Sequence, residues 1–412
     1  MREPPAMKEA VPFSPYSREP GVVRTLAQLP ESYLLYIGPV ACARHDYLSG
    51  MYGFPDRISY LCLQELDVIL GRTEVLVHEA VAEIRTRIAP KAKAVILYTG
   101  CQNSLSGVDF DALVRKLRET HGLLFTYCNM NHMLRLGSGN VYPLLFRGLL
   151  QMLDDAKPCG EEQQAQGHAV NLLCRSLKLH TGNDLPQLLA RWELGELRGF
   201  GSAPSLEEVK QMAGARLNVV THPDLLPAAK DMEERWGTAW MYLPASYRLE
   251  EIDKQYEELA SFFGKEAEAG AARREAEEKT ARVRELLEGA PVLLDGACFL
   301  KPLSAARFLL EEGFRISRVQ HLPDLKQCGK TDPEGLAWLQ EHDSRLLEFP
   351  PNASPAGQWE LHCMTSHLSD AAKPLEGSWF GYSAVSHLME RLEQAWVKQT
   401  AALANRKEEQ AG

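Results

Sequence analysis

The chain has 412 residues, enough for two or three domains with substantial cores. Its formal net charge of −10 excludes the basic surface typical of general nucleic-acid binding, but permits a basic protein partner. There is no apolar stretch of membrane-spanning length and no signal-peptide core, and the nine cysteines form no Cys-x-x-Cys pair, so a cytoplasmic protein is expected.

The first part of the chain alternates short apolar strands with amphipathic helices. A proline-rich, flexible arm is predicted over 1–30. A first α/β domain is predicted over 31–160, with these elements: strands Tyr33–Ile37, Ala94–Tyr98 and Leu123–Tyr127, and helices Asp109–Glu119 and Pro143–Leu153.

The alternation continues in two further blocks. The pattern predicts a second α/β domain over 161–289, ending in one long, charged, solvated helix over Leu249–Glu288 that links two domains. A third α/β domain over 290–366 includes predicted strands at Pro291–Asp295 and Arg345–Phe349. A segment over 367–412 should end in a helix that packs back on an earlier domain.

Three blocks of this kind predict parallel sheets covered by helices, that is, an α/β fold with three Rossmann-like domains. Ligands of such sheets bind beyond the carboxyl ends of the strands. Neither G-x-G-x-x-G after a strand nor G-x-x-x-x-G-K-[ST] occurs, so the sequence predicts no dinucleotide site and no P-loop.

Two cysteines follow predicted strands and open helices. Cys42 ends the turn Gly38-Pro39-Val40-Ala41-Cys42, and Cys101 follows Thr99-Gly100. A helix N-terminus carries partial positive charge, which favours the thiolate form that binds metals. A buried structural thiol is the alternative at Cys42, but two such turns in successive units indicate a metal or cluster site.

Three segments carry a family resemblance: Gly38-Pro39…Cys42, Glu65…Asp67-Val68…Gly71, and Cys101…Gly107…Asp109. In this order they resemble the nitrogenase component 1 superfamily, which includes the MoFe-protein subunits, the protochlorophyllide reductases and the nickel-sirohydrochlorin reductive cyclase. Arg72 stands where the family has a second glycine. Further similar segments lie downstream: Leu217–His222, Met232–Met241, and the glycines Gly377 and Gly381.

The resemblance implies the nitrogenase component 1 architecture and an iron–sulfur cluster, [4Fe-4S] in type, shared at a subunit interface. Cys42 and Cys101 match two of its ligands, in a turn shaped by Gly38 and Pro39. The family's cysteine upstream of Cys42 is missing here. The ligand set would be completed either by Cys62 or by a second subunit, identical or paralogous. The alternative role of Cys62 is that of a packed thiol.

The resemblance also points to two histidines as candidate catalytic residues. At the position of His222, nitrogenase has a cysteine that binds its metal cofactor, so neither a molybdenum–iron cofactor nor dinitrogen reduction is expected. His222 and His367 are the candidate proton donors. His222 has a packed or turn-capping role as its alternative, and the match to His367 could shift onto His362 or Cys363.

The function that the resemblance implies is that of an oxidoreductase. This chain would be a component 1 subunit of a two-component, ATP-dependent reductase. It would accept electrons from a nitrogenase iron-protein-like partner and reduce a small-molecule or tetrapyrrole-like substrate. The alternatives are a non-catalytic scaffold or carrier for metallocluster assembly, and a degenerate subunit of a catalytic paralogue. No nucleic-acid or membrane partner is expected.

Overall fold

The computed structural model describes residues 25–42, 55–129, 142–151, 170–174, 182–195, 197–244, 246–267, 270–296, 299, 301–320, 322, 325–347, 361–363 and 380–411. The chain divides into two compact units, Met1–Val141 and Tyr142–Gly412. Its three sheets are parallel at every described strand pair, as predicted for an α/β fold. The predicted domain boundaries stay predictions. None of the described helices has the length and apolarity of a membrane span.

The first unit contains a four-stranded sheet in the order β2-β1-β3-β4. Its strands are β1 Ser32–Gly38, β2 Ile58–Cys62, β3 Ala94–Thr99 and β4 Leu124–Asn129. Its helices are α1 Glu65–Ile69, α2 Thr73–Glu83, α3 Cys101–Leu105 and α4 Phe110–His121. A π-helical turn, Ile84–Ile88, extends α2.

Continuous apolar runs make β1 and β3 buried central strands, as is usual in parallel sheets. The carboxylate of Asp109 caps α4 by accepting the backbone N–H of Ala112 at 2.9 Å, and Gly122 ends that helix in the left-handed conformation. One face of the sheet packs against apolar residues of α2 and α4, including Val77 and Leu113. This apolar packing against α2 and α4 holds the strands that lead to the carboxyl edge of the sheet.

A nearly buried histidine makes the first unit sensitive to acid. The ring of His121 lies 5.6 Å from that of His78, and its Nε2 has no hydrogen-bond partner among the described residues. Burial lowers the pKa of His121, and the charges of His78 and Arg85 lower it further. The unfolded chain therefore binds this proton more readily than the folded protein does.

We expect the unfolding free energy to be fully retained above the unfolded pKa of about 6.5 and to decrease as the pH falls below it. Denaturant unfolding of wild type and His121→Gln between neutral and mildly acidic pH would measure this effect. The Gln variant should lose part of the pH dependence. An identical pH dependence in both proteins would contradict the expectation.

The second unit contains two parallel sheets, in the orders β6-β5-β7-β8 and β10-β9-β11. Their strands are β5 Val170–Leu173, β6 Leu197–Arg198, β7 Leu217–Val220, β8 Ala239–Tyr242, β9 Val292–Asp295, β10 Ile316–Gln320 and β11 Leu361–Cys363. The helices are α5 Tyr142–Gln151, α6 Leu185–Arg191, α7 Leu206–Lys210, α8 Leu226–Trp236, α9 Leu249–Phe263, α10 Gly270–Leu287, α11 Pro302–Glu311, α12 Leu325–Thr331, α13 Pro333–His342 and α14 Tyr382–Ala411.

Two expectations from sequence are wrong in this unit. The single helix over Leu249–Glu288 is two helices, because Gly264 takes a φ of 63° and ends α9. Nor is α10 solvated on all sides: its apolar stripe is buried, and Lys279 and Arg282 form ion pairs with Glu390 and Glu393 of α14. The strand expected at Arg345–Phe349 is, in its described part, the 3-10 turn Ser344–Leu347.

A buried polar cluster holds the start of α14. The hydroxyls of Tyr256 and Ser383 each donate to the carboxylate of Asp184 at 2.8 Å. Burial raises the pKa of Asp184, and these two hydrogen bonds oppose that shift. Gly381 lies beside the same groups with a φ of 70°. The first turn of α14 is thus fixed to α9 and to the residue that precedes α6.

Candidate functional site: the cysteine edge of the first sheet

The structure brings Cys42, Cys62 and Cys101 to the carboxyl edge of one sheet. Cys62 ends β2 and pairs in register with Gly38 of β1, and Cys101 follows β3 after one residue, Gly100, on the other side of β1. Cys42 lies in the helical turn just past β1, where its backbone N–H donates to Pro39 at 3.1 Å. Cys42 and Cys62 are exposed, and Cys101 is half-buried.

This edge is a topological switch point. The chain passes from β1 to β2 on one side and then returns to β3 on the other, so the connections that follow β1 and β3 diverge. Crevices of this kind are where α/β sheets bind ligands. The sequence-based placement of both cysteine turns at strand ends is therefore confirmed, although their role as ligands stays a prediction.

The turn after β1 is held by one side chain of β1 and by the backbone of the residue that follows β2. The carbonyl of Pro39 accepts the hydroxyl of Tyr36 at 3.3 Å, and the carbonyl of Gly38 accepts the backbone N–H of Leu63 at 3.0 Å. A Cβ atom at Gly38 would lie 2.5 Å from the hydroxyl oxygen of Tyr36. Glycine is the residue that lets this turn approach Tyr36 so closely.

The predicted loop at Glu65–Gly71 is largely helical. Glu65–Ile69 forms α1, and Gly71 follows with a φ of 64°. Arg72, which replaces a glycine of the family pattern, lies 3.5 Å from the carboxylate of Asp67. The departure at this position thus introduces an ion pair without breaking the turn.

Asn103 links the two cysteine turns, and the sequence analysis missed it. Its side-chain amide donates to the carbonyl of Ile37 at 2.8 Å and to the hydroxyl of Thr99 at 2.7 Å. The residue is 1% exposed. A buried amide that bonds the ends of β1 and β3 fixes the first turn of α3 relative to β1. An asparagine two residues after Cys101, in the first turn of a helix that follows a strand, was the available signal.

Replacing Asn103 with leucine should lower the unfolding free energy by roughly 2 kcal/mol, because the carbonyl of Ile37 then loses a buried donor. Denaturant unfolding would measure the change. The control is Ser106→Ala at the exposed end of the same short helix, which removes a hydroxyl that donates to the backbone carbonyl of Asn103 at 3.1 Å and leaves the Asn103 side chain in place. It should cost about 0.5–1 kcal/mol. Equal effects of the two variants would contradict the linking role of Asn103.

The cysteine thiols at this edge are of the chemical type that binds an iron–sulfur cluster shared between subunits. Thiolates are the usual ligands of such clusters. Among the residues that the structure describes, however, no group of three or more His, Cys, Asp or Glu side chains is close enough to hold a metal ion. The thiols of Cys42 and Cys101 fit such a cluster as part of a larger ligand set.

His222 lies at the corresponding edge of the second sheet. It follows β7, and the preceding residue, Thr221, donates its N–H to Leu173 of β5 at 3.1 Å. The side chain is nearly buried and lies over the 3-10 turn Pro223–Leu225, where its Nδ1 contacts Asp224. His222 therefore caps this turn, which is the alternative role considered from the sequence. Its catalytic role stays a prediction.

The other candidate histidine, His367, lies outside the described residues. Gly377 also lies outside them. His362 and Cys363 belong to β11, where they pair in register with Leu293 and Leu294 of β9. Their own roles therefore remain predictions.

Comparisons with known proteins agree with this architecture. The family model of nitrogenase component 1 type oxidoreductases matches residues 19–322. A curated relative, the nitrogenase iron-molybdenum cofactor biosynthesis protein NifE of Rhizobium meliloti (strain 1021), is 26% identical over 298 residues, which are 68% of this chain and 59% of the relative. The chain thus spans about three fifths of that relative's length.

Two solved structures share the fold. One described as nitrogenase Cp1 at pH 6.5 has a TM-score of 0.63 at 13% identity and covers 95% of each chain. Another, nitrogenase Cp1 at pH 5, has a TM-score of 0.53 at 16% identity, over 74% of this chain and 63% of the other. The expected component 1 architecture is confirmed. With the family model matching most of its length, the chain belongs to the nitrogenase component 1 type oxidoreductase family.

Proposed function

We propose that this chain is the component 1 type subunit of a two-component, ATP-dependent reductase. It accepts electrons from a nitrogenase iron-protein-like partner and reduces a small-molecule or tetrapyrrole-like substrate. The observation that carries the proposal is the position of Cys42 and Cys101 at the switch point of the first sheet, with Cys62 at the end of the neighbouring strand β2, in a chain of this family. No molybdenum–iron cofactor is part of the proposal.

The cysteine edge would hold a [4Fe-4S] cluster at a subunit interface. Cys42 and Cys101 are the proposed ligands from this chain, Cys62 is the alternative source of a third, and Gly38 and Pro39 shape the turn. When bound, the cluster would supply a one-electron redox centre. Two such cysteines from each of two like subunits provide four thiolates around a two-fold axis.

Exposed apolar side chains around the cysteine edge support an interface there. Val40 is 67% exposed beside Cys42, Ile69 is 78% exposed on α1, and Leu105 is 72% exposed at the end of α3. Clustered exposed apolar residues mark interaction surfaces. The proposed occupant is a second component 1 subunit, identical or paralogous, because a [4Fe-4S] cluster takes four ligands and the proposal assigns two of them to Cys42 and Cys101.

The alternative is a scaffold or carrier on which a metallocluster is assembled without turnover. It is favoured by one specific observation, the match to a relative whose name describes cofactor biosynthesis. The same cysteine edge would then hold the cluster or its precursor, and the chain would need no substrate. Both functions require the chain to bind a cluster, but only the reductase turns over a substrate.

Anaerobic purification of the full chain tests both functions together. We expect iron and sulfide to be retained, or taken up on reconstitution, with visible and EPR spectra of a [4Fe-4S] cluster. Turnover of an added substrate with an iron-protein-like ATPase and ATP then favours the reductase, and its absence favours the scaffold. A protein that stays free of iron after reconstitution would refute both.

A further inference from the structure

One buried amide holds together the two strand ends that lead to Cys42 and Cys101. Ile37 and Thr99 form the last register pair of β1 and β3. The side-chain Nδ2 of Asn103 donates to the carbonyl of Ile37 at 2.8 Å and to the hydroxyl of Thr99 at 2.7 Å. Asn103 follows Cys101 within the first turn of α3, and Ile37 directly precedes the turn that ends at Cys42. The amide therefore connects the helix that carries one candidate ligand with the strand that leads to the other.

The amide of Asn103 can make this connection in one orientation only. A backbone carbonyl accepts hydrogen bonds and donates none, so the NH₂ group must face Ile37. The other polar atom of the side chain, Oδ1, is buried and has no hydrogen-bond partner among the described residues. Leaving this oxygen unpaired offsets part of the stability that the two donated bonds provide. What the amide supplies in full is a fixed distance between the end of β1 and the first turn of α3.

The segments on either side of this amide are short and bonded, so its position determines where the cysteines lie. The backbone N–H of Cys42 donates to Pro39 at 3.1 Å, which closes the turn just past β1. The five-residue helix α3 begins at Cys101 and is also held from the side of β4, where the amide of Asn129 donates to the hydroxyl of Ser104 at 3.0 Å. Losing the bond to β1 would let this helix, and the thiol that it carries, shift relative to Cys42.

We propose that Asn103 is a positioning residue for the iron–sulfur cluster, and that its amide sets the separation of Cys42 and Cys101 before any iron is bound. The inference rests on the proposed function, because both the reductase and the scaffold require a cluster at this edge. Two thiolates bind one cluster only at a separation that fits its iron atoms. Ligands that are held in place in advance also lose less conformational freedom on binding. Asn103 itself is not a ligand.

Anaerobic reconstitution of the full chain with iron and sulfide tests this role in Asn103→Leu. We expect the folded variant, verified by circular dichroism, to bind roughly half as much iron per chain as wild type or less. The cluster that does form should have altered EPR g values and an altered reduction potential, because its ligands are displaced.

The matched control is Val81→Ala, which truncates a buried side chain near the end of α2 that packs against the same sheet. Because α2 returns the chain from the carboxyl edge of the sheet to its amino edge, Val81 lies toward the edge opposite the cysteines. This variant should lose stability without any change in iron content, EPR spectrum or reduction potential.

A wild-type iron content, EPR spectrum and reduction potential in folded Asn103→Leu would overturn the proposal. An equal loss of iron in Val81→Ala would also overturn it, because iron content would then follow stability alone. Asn103→Ser, whose small side chain leaves room for water at the freed carbonyl, carries the same test if the leucine variant does not fold.

Failure of this inference and failure of the proposed function are distinguishable in the same experiment. A wild-type protein that takes up no iron would refute the proposed function, and this inference with it. A loaded wild type beside an Asn103 variant with an unaltered cluster would refute only the positioning role.

Discussion

Exchanging Cys42 and Cys101 together for serine should leave the purified protein almost free of iron. Both residues lie at the switch point of the first sheet, and serine is a poor replacement for a thiolate ligand of an iron–sulfur cluster. Iron and sulfide analysis, with the visible and EPR spectra of the anaerobic protein, would measure the loss. The fold should survive, because Cys42 is exposed and Cys101 is half-buried.

Two further variants sharpen this experiment. Cys328→Ala removes a buried thiol from α12 and should keep the iron. Cys62→Ser distinguishes the possible ligand sets, because it lowers the iron content only if this cysteine is a third ligand. Iron that persists in the double serine variant would contradict the assignment of Cys42 and Cys101.

Replacing Gly381 with alanine should destabilise the second unit by roughly 3–5 kcal/mol. A Cβ atom there would lie 1.9 Å from the hydroxyl oxygen of Tyr256, and the backbone φ of 70° disfavours any side chain. Tyr256 cannot move aside, because it is 1% exposed and bonded to Asp184. Thermal and denaturant unfolding would measure the loss.

The chain offers a matched control for this substitution. Gly237 has a φ of 71° but no atom within 4 Å of the position of a Cβ, so Gly237→Ala should cost only the backbone term of about 1–2 kcal/mol. Adding Tyr256→Phe to Gly381→Ala removes the closest contact and should restore part of the stability. Equal costs at Gly381 and Gly237 would show that the contact with Tyr256 is not decisive.

Much of this architecture was accessible from sequence because its signals are local. Buried runs such as Tyr33–Ile37 and Ala94–Tyr98 have the length and apolarity of central parallel strands, and Asp109 caps a helix in the way its position predicts. Glycine and cysteine at the strand ends marked the turns. Gly264 is itself a local stop signal for a helix, but the charged helical pattern on both sides of it favoured one continuous helix, so that prediction was wrong.

By itself, the sequence determined the parallel α/β class, the cysteine turns at the ends of β1 and β3, and the resemblance to the component 1 family. The tertiary structure decided what joins distant parts of the chain: the amide of Asn103 on Ile37, the hydroxyl of Ser383 on Asp184, and the contact of Gly381 with Tyr256. The physical reason is the distance along the chain over which each kind of interaction acts. Strand and helix propensity acts between neighbours along the chain. Buried polar bonds and close contacts depend on which segments the folded chain brings together.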